Sequence, residues 1–221
     1  MKVILFGATG MIGQGVLREC LLDTGVSEVL AVGRTPTGQK HDKLRELTRK
    51  DLLDFVGAED RLTGYDACFF CLGVSSAGTP EADYRRITKD IAVAAGRTIA
   101  ARNPQLTFVF VSGAGTDRNS KTMWARVKGE AEEEILAMPF KAAYVFRPAF
   151  VRPLHGITSR TRMYRVLYAL MRPLVPLITA LAPKYVATTE QVGRAMIHAA
   201  RSGAPKKILE SADIIALSRG T

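Results

Sequence analysis

The chain has 221 residues, enough for one domain with a sizeable buried core. Its apolar fraction of 47% and charged fraction of 24% are those of an ordinary globular protein, which excludes a disordered or membrane-embedded class. The net charge of +10 would suit nucleic acid, an anionic surface or an anionic small ligand, but the lysines and arginines are scattered rather than run together, so no nucleic-acid partner is expected.

In chain order, Lys2–Phe6 is a short apolar run that predicts a strand, broken by Gly7 and Gly10. Met11 to Leu22 carries apolar residues at helical spacing. Strands are expected at Glu28–Val32, ended by Gly33, at Leu44–Thr48 and at Ala67–Leu72. A long helix is expected over Glu81–Arg102, stopped by Asn103-Pro104. A strand at Thr107–Val111, a helix at Met123–Ala137 and a strand at Ala142–Phe146, closed by Pro148, follow. Continuous apolar strands alternating with helices specify an α/β fold, a doubly wound parallel sheet covered on both faces.

After residue 150 the rhythm changes. Residues 160–182 are basic, apolar and interrupted by prolines, and Thr188 and Thr189 open a last amphipathic helix over Val192–Ala200. No repeat or linker divides the chain, so 1–221 reads as a single domain: a core over 1–150, then a cover segment over 151–221 that includes the last helix and a strand. Arg172, Pro173 and Pro176 rule out a clean membrane span over Val166–Ala182. A basic amphipathic stretch can lie on an anionic membrane, but a substrate-side cover with a solvated arginine face is the expected role. Cys68 and Cys71 have C-x-x-C spacing within an expected strand, where residues three apart point to opposite faces, so two core thiols are expected. Strand-forming residues begin at Lys2, leaving no room for a leader, and a cytoplasmic location is expected.

The first chemical signal is Gly7-Ala8-Thr9-Gly10-Met11-Ile12-Gly13, between the first strand and the first helix. A diphosphate on a helix N-terminus needs free backbone N–H groups and no Cβ in its way. Gly7 allows the tight exit from the strand, Gly10 the approach of the phosphates, and Gly13 close helix–strand packing, which together predict a dinucleotide site. An acid about 20 residues on would bind the ribose 2′-OH and select NAD. Arg34 stands there instead, and a guanidinium suits a 2′-phosphate, so NADP(H) is expected over NAD(H). Asp51 either accepts from the adenine amino group or caps the next turn.

Ser112 at the end of the fifth strand, with Trp124 and Lys128 four apart on one helix face, forms the third signal. From Gly7 through Phe150 the chain resembles the atypical short-chain dehydrogenase/reductases, especially the Tat-interacting oxidoreductase-like and NmrA-like groups. The resemblance rests on the glycine loop, on Asp66-Ala67-Cys68-Phe69-Phe70-Cys71-Leu72-Gly73, on Val127-Lys128-Gly129-Glu130 and on Phe146-Arg147-Pro148. It implies a Rossmann fold in which Lys128 holds the nicotinamide ribose hydroxyls and Ser112 bonds the substrate carbonyl. It also implies that Leu52, Cys71 and Leu72 face the cofactor, while Gly73, Pro148 and Ala149 line the nicotinamide site. The family's proton-transferring Tyr is here Trp124, whose indole N–H is a donor only and does no acid–base work. His155, in the loop after Arg147-Pro148, is a candidate replacement acid beside water, and Tyr84 and His198 read as structural. The expected function is therefore an NADP(H)-dependent oxidoreductase of an unidentified small molecule; the alternative is a non-catalytic NADP-sensing regulator, as some NmrA-like members are.

Overall fold

The computed structural model describes residues 1–158 and 183–220. Seven parallel strands form one sheet in the order β3-β2-β1-β4-β5-β6-β9. They are β1 (Lys2–Phe6), β2 (Glu28–Gly33), β3 (Leu44–Thr48), β4 (Ala67–Phe70), β5 (Thr107–Val111), β6 (Ala142–Arg147) and β9 (Ile208–Glu210). A separate parallel pair joins β7 (Phe150–Arg152) to β8 (Val186–Thr188). The central strands β4 and β5 are buried along their whole length, because helices cover both faces and no position is left to water.

One face carries α1 (Met11–Leu22) and α5 (Thr189–Ser202), whose Val16, Leu17, Val192 and Met196 pack on Val3, Leu5 and Phe69. The other carries α2 (Glu81–Arg85), α3 (Ile91–Arg102) and α4 (Met123–Leu136), where Ala92, Ile99 and Ile135 meet Ile4, Phe6 and Phe70. Phe6 and Phe70 stack at 5.1 Å between ring centres. A short α6 (Ser211–Leu217) ends the described chain.

Three departures from the expected elements have physical reasons. β4 ends at Phe70: Cys71 N–H still donates to Phe6 O at 3.0 Å, but Leu72, expected in the strand, lies beyond it and lines a cavity. The long helix is interrupted by a π turn at Arg86–Asp90, which aims Arg85 and Lys89, four apart, at the same Glu130 of α4. The helix expected to be last, α5, starts at Thr189 and is followed by α6; Thr188 caps it, its Oγ1 accepting from Gln191 N–H at 3.0 Å while Gln191 Oε1 accepts from Thr188 N–H at 2.9 Å.

Described residues beyond 150 build part of the sheet and of its helical layer. β9 extends the main sheet, and α5 lies directly against α1. A Cβ on Gly15 would sit 2.5 Å from Thr189 Cβ, and one on Gly193 2.8 Å from Glu19 Cγ, so the two glycines let the helices touch. Buried Glu19 is held there by Arg194 at 3.2 Å and by Arg18. The whole basic stretch 160–182, with residue 159, lies outside the described residues. Among the described residues no helix is long and apolar enough to cross a membrane.

Candidate functional site

The glycine loop leaves β1 at the carboxyl edge of the sheet. Gly7 has φ +78°, and a Cβ there would lie 2.6 Å from Cys71 C and Leu72 N, so β1 and β4 close on each other as only glycine permits. Gly10 N–H donates to Gly7 O at 2.9 Å. A Cβ on Gly13 would lie 2.0 Å from Gly7 O, which shows how hard α1 presses on the strand exit. Gly10 itself meets only Gly7 O, at 3.3 Å. No side chain of the described residues caps α1 at Gly10, so its first N–H groups and the positive end of its dipole face outward, an arrangement suited to an anion.

Beside this loop is a cavity of about 350 Å³, lined by Gly7, Ala8, Thr9, Gly33, Arg34, Thr37, Glu46, Thr48, Leu52 and Leu72. Arg34 is exposed at its rim and has no ion-pair or hydrogen-bond partner among the described residues. Asp51 does not line it. Its Oδ1 accepts from Leu53 N–H at 3.0 Å and its Oδ2 is 3.7 Å from Arg86, so of the two sequence readings the turn cap is the one seen. Glu46 and Thr37 escaped sequence reasoning: Glu46 Oε1 accepts from Thr37 N–H at 2.7 Å and from its hydroxyl at 2.5 Å, pinning the loop that follows Arg34. Only the i+9 spacing of the two signals it, and no motif contains that spacing. Cys68 and Cys71 do point to opposite faces, and burial pushes both thiols up.

The other end of the cleft is built from side chains. Ser112 is buried at the tip of β5, its Oγ 3.0 Å from Thr116 Oγ1. The Thr116 hydroxyl donates its one proton to Gly113 O at 2.7 Å, so the Ser112 hydroxyl is the donor in that pair. The loop after Ser112 packs along α4: Asp117 N–H donates to Ala125 O at 3.3 Å, and a Cβ on Gly129 would lie 2.4 Å from Arg118 N. A Cβ on Gly115 would be 3.7 Å from Trp124 Cη2, which places the indole against this loop. Lys128, one turn on, is half-buried and has no partner among the described residues. Burial brings its ammonium down to about 8, opposed by the negative charge of Glu132 one turn further along. Glu132 is itself buried and bound to Arg147 of β6.

The structure thus gathers Ser112, Trp124 and Lys128 along one loop and one helix, but not His155. After β7 pairs with β8 the chain runs behind α1, where His155, at φ +56°, sets Nε2 2.8 Å from Glu190 Oε2. There it lines a second cavity of about 430 Å³ with Gln14, Arg18 and Leu21, which removes it from the proton-donor position expected for it. Tyr84 is buried on α2. Pro148 O accepts from Ala114 N–H at 3.1 Å and Ala149 N–H donates to Ser211 Oγ at 2.7 Å, so these two groups brace the cleft wall. An added Cβ on Gly73 would meet none of the described residues within 4 Å.

No family model matches the chain. A protein named fmp52, mitochondrial, from Aspergillus niger is 31% identical over 158 residues, 68% of this chain and 66% of its own length. Rat protein HTATIP2 is 26% identical over 150 residues, 66% of this chain and 61% of its own. The chain thus spans a little under two thirds of the length of these relatives. MoeE5, solved in complex with UDP-glucose and NAD, superposes with a TM-score of 0.69 at 17% identity, over 100% of this chain and 81% of that one, which shows a shared fold. The cytoplasmic expectation is overturned, since relatives from Scheffersomyces, Aspergillus and Kluyveromyces are named mitochondrial, and a strand beginning at Lys2 carries no information on location. The parallel seven-stranded sheet and the relatives together bear out the resemblance of this chain to the atypical short-chain dehydrogenase/reductases of the Tat-interacting oxidoreductase-like and NmrA-like groups.

Proposed function

We propose that this protein seats NADP(H) across the carboxyl edge of the sheet and reduces a small carbonyl compound. The observation that carries the reading is the glycine loop, whose Gly7–Thr9 line a cavity with an arginine at its rim that has no partner among the described residues, and whose Gly10 leads into α1's uncapped end. The open side of Gly10 is a cradle that a side chain would fill. The N–H groups of Met11, Ile12 and Gly13 would hold the diphosphate and Arg34 the 2′-phosphate, with Leu52 and Leu72 against the adenosine. Lys128 would hold the nicotinamide ribose, and Ser112 would turn its proton from Thr116 to the substrate oxygen. When bound, the dinucleotide supplies the hydride.

Glu46 lines the same cavity, and its charge opposes the 2′-phosphate. A hydrogen bond to a charged group contributes about 1.5–3 kcal/mol, so with Glu46 as counterweight NADPH is expected to bind roughly tenfold tighter than NADH. Titration of the native protein and of Arg34→Ala, followed by nucleotide fluorescence, tests this: the variant should lose the preference and keep its NADH affinity. Equal affinities in the native protein would refute the NADP assignment. Trp124 favours a second reading, a dinucleotide sensor without turnover, in which NADPH binds and no aldehyde, ketone or quinone is reduced.

A further inference from the structure

With an indole at position 124, the cleft lacks the phenol that its relatives' chemistry would use, and the neighbouring polar groups are engaged. The Ser112 hydroxyl donates to Thr116, and Glu132 is tied to Arg147. Glu130 is held by Arg85 and Lys89. His155 is paired with Glu190 behind α1. Lys128 alone of this group has no partner among the described residues, and it stands one turn from Trp124 beside the loop that carries Ser112.

We infer that Lys128 is the proton donor of the reaction, taking the place of the missing phenol. The inference rests on the reductase reading above. The substrate's carbonyl carbon receives a hydride from the reduced nicotinamide dinucleotide, and its π pair moves onto oxygen. That oxygen takes a proton as one N–H bond of the Lys128 ammonium breaks. The alcohol departs, and the neutral amine recovers its proton from water. An ammonium has three N–H donors, so one can hold a ribose hydroxyl while another faces the substrate.

Acid strength supports the role. An ordinary lysine gives up its proton too reluctantly near neutrality, whereas burial brings Lys128 to about 8, close to where general acids work best. The charges around it are accounted for from each side. Glu132 on its own helix raises its affinity for the proton but is shared with Arg147 of β6. The adjoining loop brings Asp117 and Arg118, the latter paired with Glu133, and α2 with its π turn brings Arg85 and Lys89, both spent on Glu130.

Two measurements test the proposal. In the protein without nucleotide, competitive acetylation of the lysines as pH is varied should give Lys128 a midpoint near 8, well below that of its surface lysines. With NADPH and 4-nitrobenzaldehyde, kcat should fall about tenfold per pH unit above that midpoint, as expected when one acid must be protonated. Lys128→Arg keeps the charge and should keep NADPH binding, but should lower kcat by about a hundredfold or more and abolish the pH dependence, because guanidinium does not titrate there. Lys128→Met, checked for native circular dichroism, should be equally slow. A midpoint at 10 or above, or a Lys128→Arg enzyme within threefold of native kcat, overturns the proposal alone. Failure of the native protein to bind NADPH overturns the dinucleotide reading, and binding without any reduction of the aldehyde overturns the reductase reading, each taking this proposal with it.

Discussion

The two ends of the cleft are made of different material. At the α1 end, shape is fixed by main chain: Gly7 and Gly13 lie where a Cβ would collide with backbone atoms at 2.6 and 2.0 Å. At the α4 end, the site is a set of side chains, Ser112, Thr116, Trp124 and Lys128, whose roles depend on which neighbour each one bonds. A backbone site tolerates no added atoms but is indifferent to the identity of most surrounding residues. A side-chain site keeps its shape through substitution and changes its chemistry.

The contrast is sharpest at Gly13. Gly13→Val should cost more than about 3 kcal/mol, because overpacking against main chain cannot relax as it does against a flexible side chain. It should lower the urea midpoint and abolish NADPH binding. Gly10→Val is its control, since only one contact at 3.3 Å resists the first carbon of the new side chain: the fold should survive and binding should still be lost. A stable Gly13→Val protein that binds nucleotide would break the distinction between the two ends.

At the other end the expected effect runs in the opposite direction. Trp124→Tyr puts an ionisable hydroxyl beside the Ser112 loop, and general acid–base catalysis contributes roughly 10²–10⁴-fold, so a gain of about tenfold or more in carbonyl reduction should follow with little change in stability. Unchanged or lower turnover, with the nucleotide still bound, would mean that the indole is a wall for the natural ligand. The smallest effect is expected behind both sites. Thr188→Ala removes the cap of α5 and should cost about 1 kcal/mol in the urea midpoint, with NADPH affinity unaltered.

The same division explains what could be read from the sequence. The bounds of α1, β3 and β5 coincide with their apolar patterns, and the glycine spacing leads directly to the strand exit seen here. These features are local: a turn with positive φ and a periodic face are written in consecutive residues. β7, β8 and β9 are three residues each, too short for a period to declare itself, and they form because partners far along the chain are waiting. His155 looked near the cleft because it follows Pro148 by seven positions, yet the β7–β8 pairing carries it behind α1. The clasp between Glu46 and Thr37 and the π turn at Arg86–Asp90 likewise depend on contacts between elements, which no spacing rule contains.

The contact between α1 and α5 has a consequence for how the protein comes into being. Glu19 and Arg194 are 175 positions apart. A ribosome would release α1 well before α5, with β9 later still. Until then the Val16–Leu17 face has no cover and Glu19 no arginine from α5, so the nascent amino-terminal half would wait with apolar surface open to chaperones and to its own copies. The proposed phosphate seat is encoded at residues 7–13 and buttressed by a helix that begins only at Thr189.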